Sequence, residues 1–285
     1  MLRCFLSLVM LIVLSACQSD DKSSPPGLTE VLTPEYGDTF IEASIGDAST
    51  LLPVLASDSA SSAINGLVYS GLLRYDKNLF LEGELAERWE VSEDNRTLTF
   101  HLRQGVQWHD GAPFTSADVK FTYELYIDPE IPTAYAEAFS QVSRVETPDP
   151  YTFVVHYETP YAPALVSWAT AIHPRHLLEG TDISRSPLAR QPVGTGPYRF
   201  VEWVSGEKIV LEANPDYFEG SPYIRRVVYR IIPDISTQFL ELQTGSLDFM
   251  GLSPLQYDRQ TDTPAFRRNF NKYRYLAFGY TYLGY

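Results

Sequence analysis

The sequence predicts an α/β protein with a smaller antiparallel part set within it. Three observations lead there. The β-rich run from Ile224 to Ile232 is followed by a helical segment and then by Leu247 to Met250, the strand–helix–strand order of an α/β sheet with a right-handed crossover. Leu98, Phe100 and Leu102 alternate with Thr97, Thr99 and His101, the period of two that marks a half-buried strand, and two further strand-like runs follow that one in the chain. At 285 residues and 44 % hydrophobic content, the chain is long enough for two cores.

The N-terminal end reads as a processing signal. Arg3 is a basic n-region, Phe5 to Leu14 an apolar h-region, and Leu14-Ser15-Ala16 the residues before a cut, so 1–16 is expected to be removed. The run is too short to span a membrane comfortably. Leu14-Ser15-Ala16-Cys17 resembles a bacterial lipobox, which implies a diacylglyceryl thioether on Cys17 and stable anchoring by several acyl chains. The plainer alternative is an ordinary signal peptide with an incidental cysteine. Gln18, standing where an Asp would retain a lipoprotein in the inner membrane, leans towards the outer one. Cys4 and Cys17 are the only cysteines and Cys4 leaves with the signal, so the folded part has neither a disulfide nor a thiolate metal site. Residues 17–37 are rich in Ser, Pro and Asp, bury too little apolar surface to order themselves, and read as a disordered tether.

From Thr39 the elements follow in order. Ile41, Ala43 and Ile45 share one side of a first strand that ends at Gly46-Asp47. Asp58 or Ser59 caps a helix whose Ala63, Ile64, Leu67 and Val68 recur at helical spacing. Leu72 to Tyr75 is a short strand. Glu90-Val91-Ser92 leads into the polar turn Glu93-Asp94-Asn95, the alternating strand follows, and His109-Asp110-Gly111 makes a second turn. Thr115 and Asp118 form a capping-box-like pair at a helix with Val119, Thr122, Tyr123 and Tyr126 on one face. Val142 to Glu146 and Thr152 to Tyr157 are strands around Pro148-Asp149-Pro150, completing a small antiparallel sheet. Pro163 to Ala171 and His176 to Leu178 are short helices. Val193 to Tyr198 is a Gly-rich turn entering a strand, and Ile209 and Leu211 alternate in the next one. Asp234 caps a helix with Phe239, Leu240 and Leu242 that Gly245 stops, and Tyr273 to Tyr285 is a last strand.

The residues exclude more chemistry than they provide. The net charge is −14, and the chain beyond Arg3 is more acidic still, which argues against nucleic acid or anionic lipid as partners. Solubility is the plain reason for such a surface, and a preference for cationic ligands the sharper one. There is no Gly-x-Ser-x-Gly, and Cys17 sits at the anchor, so no nucleophile with its base is visible and no enzyme is expected. His173-x-x-His176 is the only close histidine pair, and Pro174 spoils its helical register, so no metal site is assigned and no cofactor is expected. His101 and His109 read as packing or hydrogen-bonding residues. Gly194 and Gly196 lack the Lys-Ser/Thr and third Gly of a phosphate cradle, and Pro197 removes a donor.

The run LAERWEVSEDNRTLTFHLRQGVQWHDGAPFTSADVKFTYE, with LVYSGLLRY before it and VGTGPYRF, NPDYF and GSLD after it, resembles the family 5 extracellular solute-binding proteins, the dipeptide, oligopeptide and nickel receptors of ABC importers. The resemblance covers about Thr39 to Tyr285. It implies a periplasmic-binding-protein-like fold of type II, the dipeptide/oligopeptide-receptor type, represented by its first lobe only. That lobe would comprise 38–65 and 192–285, with 66–191 as an inserted small α+β subdomain and the Gly-rich turn as the crossing back to the main sheet. The second lobe that follows in the family is not matched, so the chain is expected to be an N-terminal fragment.

What the resemblance implies about function is a lipid-anchored receptor in the cell envelope. It would be a monomer that captures peptides and delivers them to a permease and its ATPase. Peptides in the family are held largely through their main chains, by strand-edge hydrogen bonds and roomy wet pockets. On this half of the cleft the candidates are Gly46, Asp47, Ala48 and Ser49 after the first strand, Asp58, Ser61 and Ser62 at the helix start, Tyr69, and Tyr280 and Tyr282 near the hinge. Tyr69 as simple core, and Asp58 as simple cap, are the rival readings. The functional alternatives are a nickel or other small-solute receptor, for which no His lies in the named stretches, and a signalling protein that presents peptide to a sensor.

Overall fold

The computed structural model describes residues 34–274. The expected signal peptide, Cys17, most of the tether, Tyr280, Tyr282 and nearly all of the last strand lie outside them.

The first sheet is built from the two ends of the described chain. β1 (Gly37–Ser44) pairs in parallel with β10 (Ile224–Ile231), which pairs antiparallel with β9 (Lys208–Ala213), and β9 with β8 (Tyr198–Val204). One face of this sheet is covered by α1 (Ser59–Val68), whose Ile64 and Val68 pack with Tyr69 against Ile209, Leu211, Val227 and Tyr229. A parallel pair needs a long connection. Here residues 45–223 supply it, and the part of that stretch before β8 carries a second sheet.

That second sheet is antiparallel throughout, in the order β4 (Ala86–Val91), β5 (Thr97–Leu102), β7 (Thr152–Tyr157), β6 (Val142–Asp149). The hairpin β2 (Leu73–Tyr75) and β3 (Leu81–Gly83) precedes it. Burial along β5 and β7 alternates strictly, with Leu98, Phe100, Leu102, Phe153, Val155 and Tyr157 inside, as the period of two requires. α2 (Ser116–Ile127) lies against it, burying Val119, Thr122, Leu125 and Tyr126. Its start is fixed by the Thr115 N–H donating to Asp118 Oδ2 at 2.8 Å, while Asp118 Oδ1 accepts the Arg175 N–H from the short helix α4 (Arg175–Leu178). Trp168, just beyond the single turn α3 (Ala164–Ser167), sits at the centre of an aromatic core with Phe100, Phe139 and Phe153. β6 runs three residues further than its hydrophobic pattern reaches. It is an edge strand with register shifts, which is where Pro148 is tolerated.

After β10, Asp234 caps α5 (Ile235–Gln243), its Oδ1 accepting the Thr237 N–H at 2.7 Å, and Gly245 at φ +78° follows the helix end. The expected strand Leu247 to Met250 does not form as a strand. Its only ladder element among the described residues is an isolated parallel bridge between Phe249 and Glu42 on β1. The reason is local. The Asp248 carboxylate itself takes the Ile41 N–H at 2.7 Å, and both Asp248 and Phe249 aim their N–H groups at the one Ile41 carbonyl. A further helix, α6 (Pro264–Asn269), escaped the pattern reading although Thr263 caps it and Pro264 opens it. Phe266 from α6 joins Ile232, Leu242, Leu247 and Met250 in a third small core.

The Gly-rich turn joins the two sheets. A Cβ on Gly194 would lie 1.8 Å from the Val68 carbonyl oxygen, and one on Gly196 would lie 2.6 Å from that of Leu67. The Gly196 N–H donates to Val68 O at 2.9 Å. These glycines therefore serve close backbone approach to the end of α1. His109, from the His-Asp-Gly turn, closes the arrangement. Its Nδ1 accepts the Gly194 N–H at 3.3 Å and its Nε2 meets Gly196 O at 3.0 Å, which requires the Nε2–H tautomer. Burial holds its pKa down at about 4, so the ring is neutral. Because the blocking atoms at Gly194 are backbone, Gly194→Ala is expected to destabilise the fold by about 3 kcal/mol or more. Gly206→Ala is expected to cost only about 1 kcal/mol, because Gly206 has positive φ but open space around it. Paired chemical denaturation of the two variants measures the difference.

Candidate functional site

A pocket of about 420 Å³ opens where the end of α1 meets elements of the second sheet. Ser62, Asn65, Gly66 and Tyr69 form one wall, and Pro53 and Ala56 the rim before α1. Ser70, Gly71, Arg74 and Glu84 line another side, and Tyr126, Tyr135 and Thr170 a third. Thr170 donates to the Tyr126 hydroxyl at 3.0 Å, so that side is already knitted together. The wall on α1 is not. Both polar atoms of the Asn65 side chain and the Tyr69 hydroxyl are buried without a hydrogen-bond partner among the described residues. Asn65 is 6 % exposed and Tyr69 3 %. Buried polar atoms are nearly always paired, and each one left open costs about 1–3 kcal/mol. A larger groove, about 850 Å³, runs along Phe40, Phe249, Phe266 and Phe270, but none of the unpartnered buried atoms of the described residues lies on it.

The charges of the pocket are unequal. Arg74 is matched twice, by Glu82 at 2.8 Å and Glu219 at 2.6 Å, and Arg103 adds to Glu219 at 3.8 Å. Glu84, 9 % exposed, has no cation at salt-bridge distance among the described residues. Its Oε2 accepts the Gly71 N–H at 2.8 Å. Burial pushes its pKa up to about 7, against the pull of that N–H, of the Ser70 hydroxyl and of Arg74, and Arg103 Nε donates to its backbone carbonyl at 2.6 Å.

The residues expected from the sequence separate into groups. Ser62 and Tyr69 line the pocket. Ser49, Asp58 and Ser61 form a hydrogen-bonded cluster at the start of α1. Asp58 caps the helix through the Ser61 N–H at 2.8 Å and also accepts the hydroxyls of Ser61 at 2.6 Å and Ser49 at 2.5 Å, while Ser61 Oγ in turn accepts the Ser49 N–H at 3.1 Å. Burial alone would raise the Asp58 pKa, but these hydrogen bonds outweigh it and hold the carboxylate at about 2. Asp47 is engaged elsewhere, accepting from Trp203 Nε1 at 2.8 Å and the Gly206 N–H at 2.9 Å. Gly46 accepts the Ser44 hydroxyl at 2.7 Å, and Ala48 is buried in the first core. His173 and His176 go separate ways. Nε2 of His173 accepts the Val54 N–H at 3.2 Å, with burial holding the ring neutral at a pKa of about 3, and His176 bonds Asp110 at 2.7 Å. Among the described residues no group of three His, Cys, Asp or Glu is placed to hold a metal.

Asn65, Arg74, Glu84, Tyr135 and Thr170 were not anticipated. Asn65 carried a signal, as an amide between Ile64 and Val68 on the apolar side of α1. Glu84 carried a fainter one, as an acid directly before the buried pair Leu85-Ala86.

The sequence profile of the bacterial extracellular solute-binding proteins, family 5 Middle, matches residues 81–285. The chain is 31 % identical over 285 residues to the oligopeptide-binding protein AppA of Bacillus subtilis, an alignment covering 97 % of this chain and 51 % of AppA. The structure of AppA in complex with a nonapeptide superposes with a TM-score of 0.76 at 29 % identity, over 81 % of this chain and 47 % of that one. DppA from Helicobacter pylori, in complex with the peptide STSA, gives 0.74 at 31 % identity, over 81 % and 50 %. NikZ from Campylobacter jejuni, in complex with Ni(L-His), gives 0.74 at 29 %, over 79 % and 45 %. The chain spans about half the length of the curated relatives it matches.

Two stability effects follow from the site. Asp58→Ala removes the cap and two further hydroxyl bonds, and is expected to lower unfolding free energy by about 1–2 kcal/mol. Glu84 works in the opposite sense. Its folded pKa lies above the ordinary carboxylate range, so the folded state binds the proton more tightly than the unfolded chain does. The folded state is therefore penalised above pH 7, and the penalty fades as pH falls through 7 into the ordinary carboxylate range. Glu84→Gln, which keeps an acceptor for the Gly71 N–H, is expected to be more stable than the parent at pH 8 by on the order of 2 kcal/mol and nearly equal to it at pH 4. Denaturant titrations at the two pH values measure both variants.

Proposed function

Because the chain belongs to the bacterial extracellular solute-binding proteins of family 5, we propose that it is the solute-capturing component of an ABC importer and that its solutes are peptides. The observation that carries the peptide reading is the wall of Asn65 and Tyr69. A pocket that leaves an amide oxygen, an amide nitrogen and a hydroxyl buried and unpartnered is built for a ligand with alternating acceptors and donors, which is what a peptide main chain offers. The likeness to AppA and DppA, both solved with peptides, supports the same choice. The likeness to NikZ keeps a nickel–histidine solute as the second reading. Against it stands the lining of the pocket, which includes no histidine.

Capture on this reading is non-covalent. Backbone and amide groups hold the main chain, and a permease with its ATPase receives the solute. We further propose the organisation of the chain in these terms: a lobe from 38–65 and 192–285, an inserted subdomain over 66–191, a tether over 17–37, and Cys17 as a lipid-bearing anchor that holds a monomer in the cell envelope. The separate cores of the two sheets and the sequence Leu14-Ser15-Ala16-Cys17 support this division.

Calorimetric titration of the full natural protein with a random pentapeptide pool is expected to give saturable binding. Asn65→Leu is expected to weaken it by about 10-fold, the loss of one to two buried hydrogen bonds. Ni(L-His) is expected to give no heat. Binding of Ni(L-His) with none of the peptides would replace the first reading by the second. Metabolic labelling with radioactive palmitate is expected to mark the parent and not Cys17→Ser.

A further inference from the structure

We propose that solute capture at this pocket takes up a proton, carried by the Glu84 carboxyl group, so that the receptor holds its solute more tightly on the acid side of neutrality than on the alkaline side. The inference rests on the receptor reading above and adds a proton to what that site binds.

The surroundings of Glu84 carry the argument. It lines the pocket and is 9 % exposed. The donors at its carboxylate are neutral: the Gly71 N–H at 2.8 Å, with the Ser70 hydroxyl beside it. The charged groups packed around it are engaged elsewhere. Arg74 on β2 pairs with Glu82 of β3 at 2.8 Å and with Glu219, in the loop after β9, at 2.6 Å. Arg103, directly after β5, donates Nε to the Glu84 backbone carbonyl at 2.6 Å and holds Nη2 3.8 Å from Glu219. Both guanidiniums are therefore near, yet among the described residues neither forms a salt bridge with the Glu84 carboxylate. Glu219 faces the same ground and opposes their pull with a charge of the same sign as that of Glu84. The other neighbours are phenols. Burial pushes Tyr69 at the end of α1, Tyr126 on α2 and Tyr217 in the loop after β9 upward, so all three stay neutral. No histidine lines the pocket.

An acid so placed favours its protonated form, and its pKa stands at about 7 in the free receptor. A solute that fills the pocket displaces the water that still reaches the carboxyl group, and a neutral peptide segment brings no charge in its place. Desolvation therefore deepens on binding, and the proton is held more firmly. Once protonated, the group also becomes an O–H donor, which a peptide carbonyl accepts. The sign follows from linkage. The gain in affinity is fully present below pH 7, where the free receptor already carries the proton. It is lost as pH rises through the higher midpoint of the loaded receptor. Each pH unit between the two midpoints is a factor of ten in affinity.

The test titrates the full natural protein with the random pentapeptide pool by calorimetry at pH 7.5, in phosphate and in Tris. The difference in apparent heat between the two buffers counts the protons exchanged. Peptide amines titrate in the same range and do so alike with either protein, so the quantity read is the difference between the parent and Glu84→Gln, which retains the acceptor for Gly71. The parent is expected to take up about half a proton more per peptide bound than the variant. Between pH 9 and pH 6 it is expected to gain about 10-fold more in affinity than the variant does. Infrared difference spectra of the parent, loaded minus free at pH 7.5, are expected to gain the C=O stretch of a protonated carboxylic acid. Equal proton exchange by the two proteins, release of a proton at Glu84 rather than uptake, or absence of that band overturns this proposal and leaves the receptor reading standing. Absence of binding to the pool overturns both. Where Glu84→Gln does not fold, the infrared band of the parent decides the question.

Discussion

The structure depends on one close approach. Gly194 and Gly196 lie so near the carbonyls of Leu67 and Val68 that neither position has room for a side chain. At that crossing the end of α1, the His-Asp-Gly turn of the second sheet and the entry to β8 touch through backbone atoms and one neutral histidine. Backbone-to-backbone contact is stiff, because no rotamer can absorb a displacement. Moving the crossing by even an ångström would shift α1 on the first sheet and the second sheet on α1. Of these parts, α1 supplies one wall of the pocket. That wall is held in place by the crossing, so Asn65 and Tyr69 sit on an element that cannot easily turn away to find other partners.

That rigidity explains how the pocket keeps groups that folding alone would not retain. Among the described residues, Asn65 and Tyr69 leave buried polar atoms open, and the Glu84 carboxylate is buried without a cation at salt-bridge distance. Each is unfavourable by amounts comparable to a sizeable part of a domain's net stability. The Asp58 cluster shows the contrast within the same helix. There a carboxylate of similar chemistry receives three hydrogen bonds and is held well below its ordinary pKa. The start of α1 is fully hydrogen-bonded, while its end leaves the Asn65 and Tyr69 atoms without partners among the described residues. The difference between the two acids rests on what surrounds each one.

Much of the fold was legible because its signals are local. The alternation of Leu98, Phe100 and Leu102, the Thr115/Asp118 pair, and the Asp234 cap each act within a few residues, and each appears where the pattern places it. Leu247 to Met250 was misread because its apolar pattern suits a strand, while the Asp248 side chain competes for the very N–H that a ladder would use. The site was less legible. Asn65 and Glu84 differ from structural polar residues only in lacking partners, and partners come from residues far along the chain. Asp47, by contrast, looked available after the first strand, yet Trp203 and Gly206 reach it from 156 and 159 residues away. A pattern reading sees which groups could bind. It does not see which are already engaged.

The acidic character of the chain acts at two distances. A net charge of −14 spreads over the surface, where salt screens it beyond about 8–10 Å, so its effect on a cationic solute is on encounter rate more than on affinity. Glu84 is largely buried, and there the same unit charge interacts several times more strongly. A surface carboxylate is screened and mainly keeps the chain in solution, whereas the buried one holds a proton near neutral pH, so the same chemical group is solubilising in one place and titratable in the other.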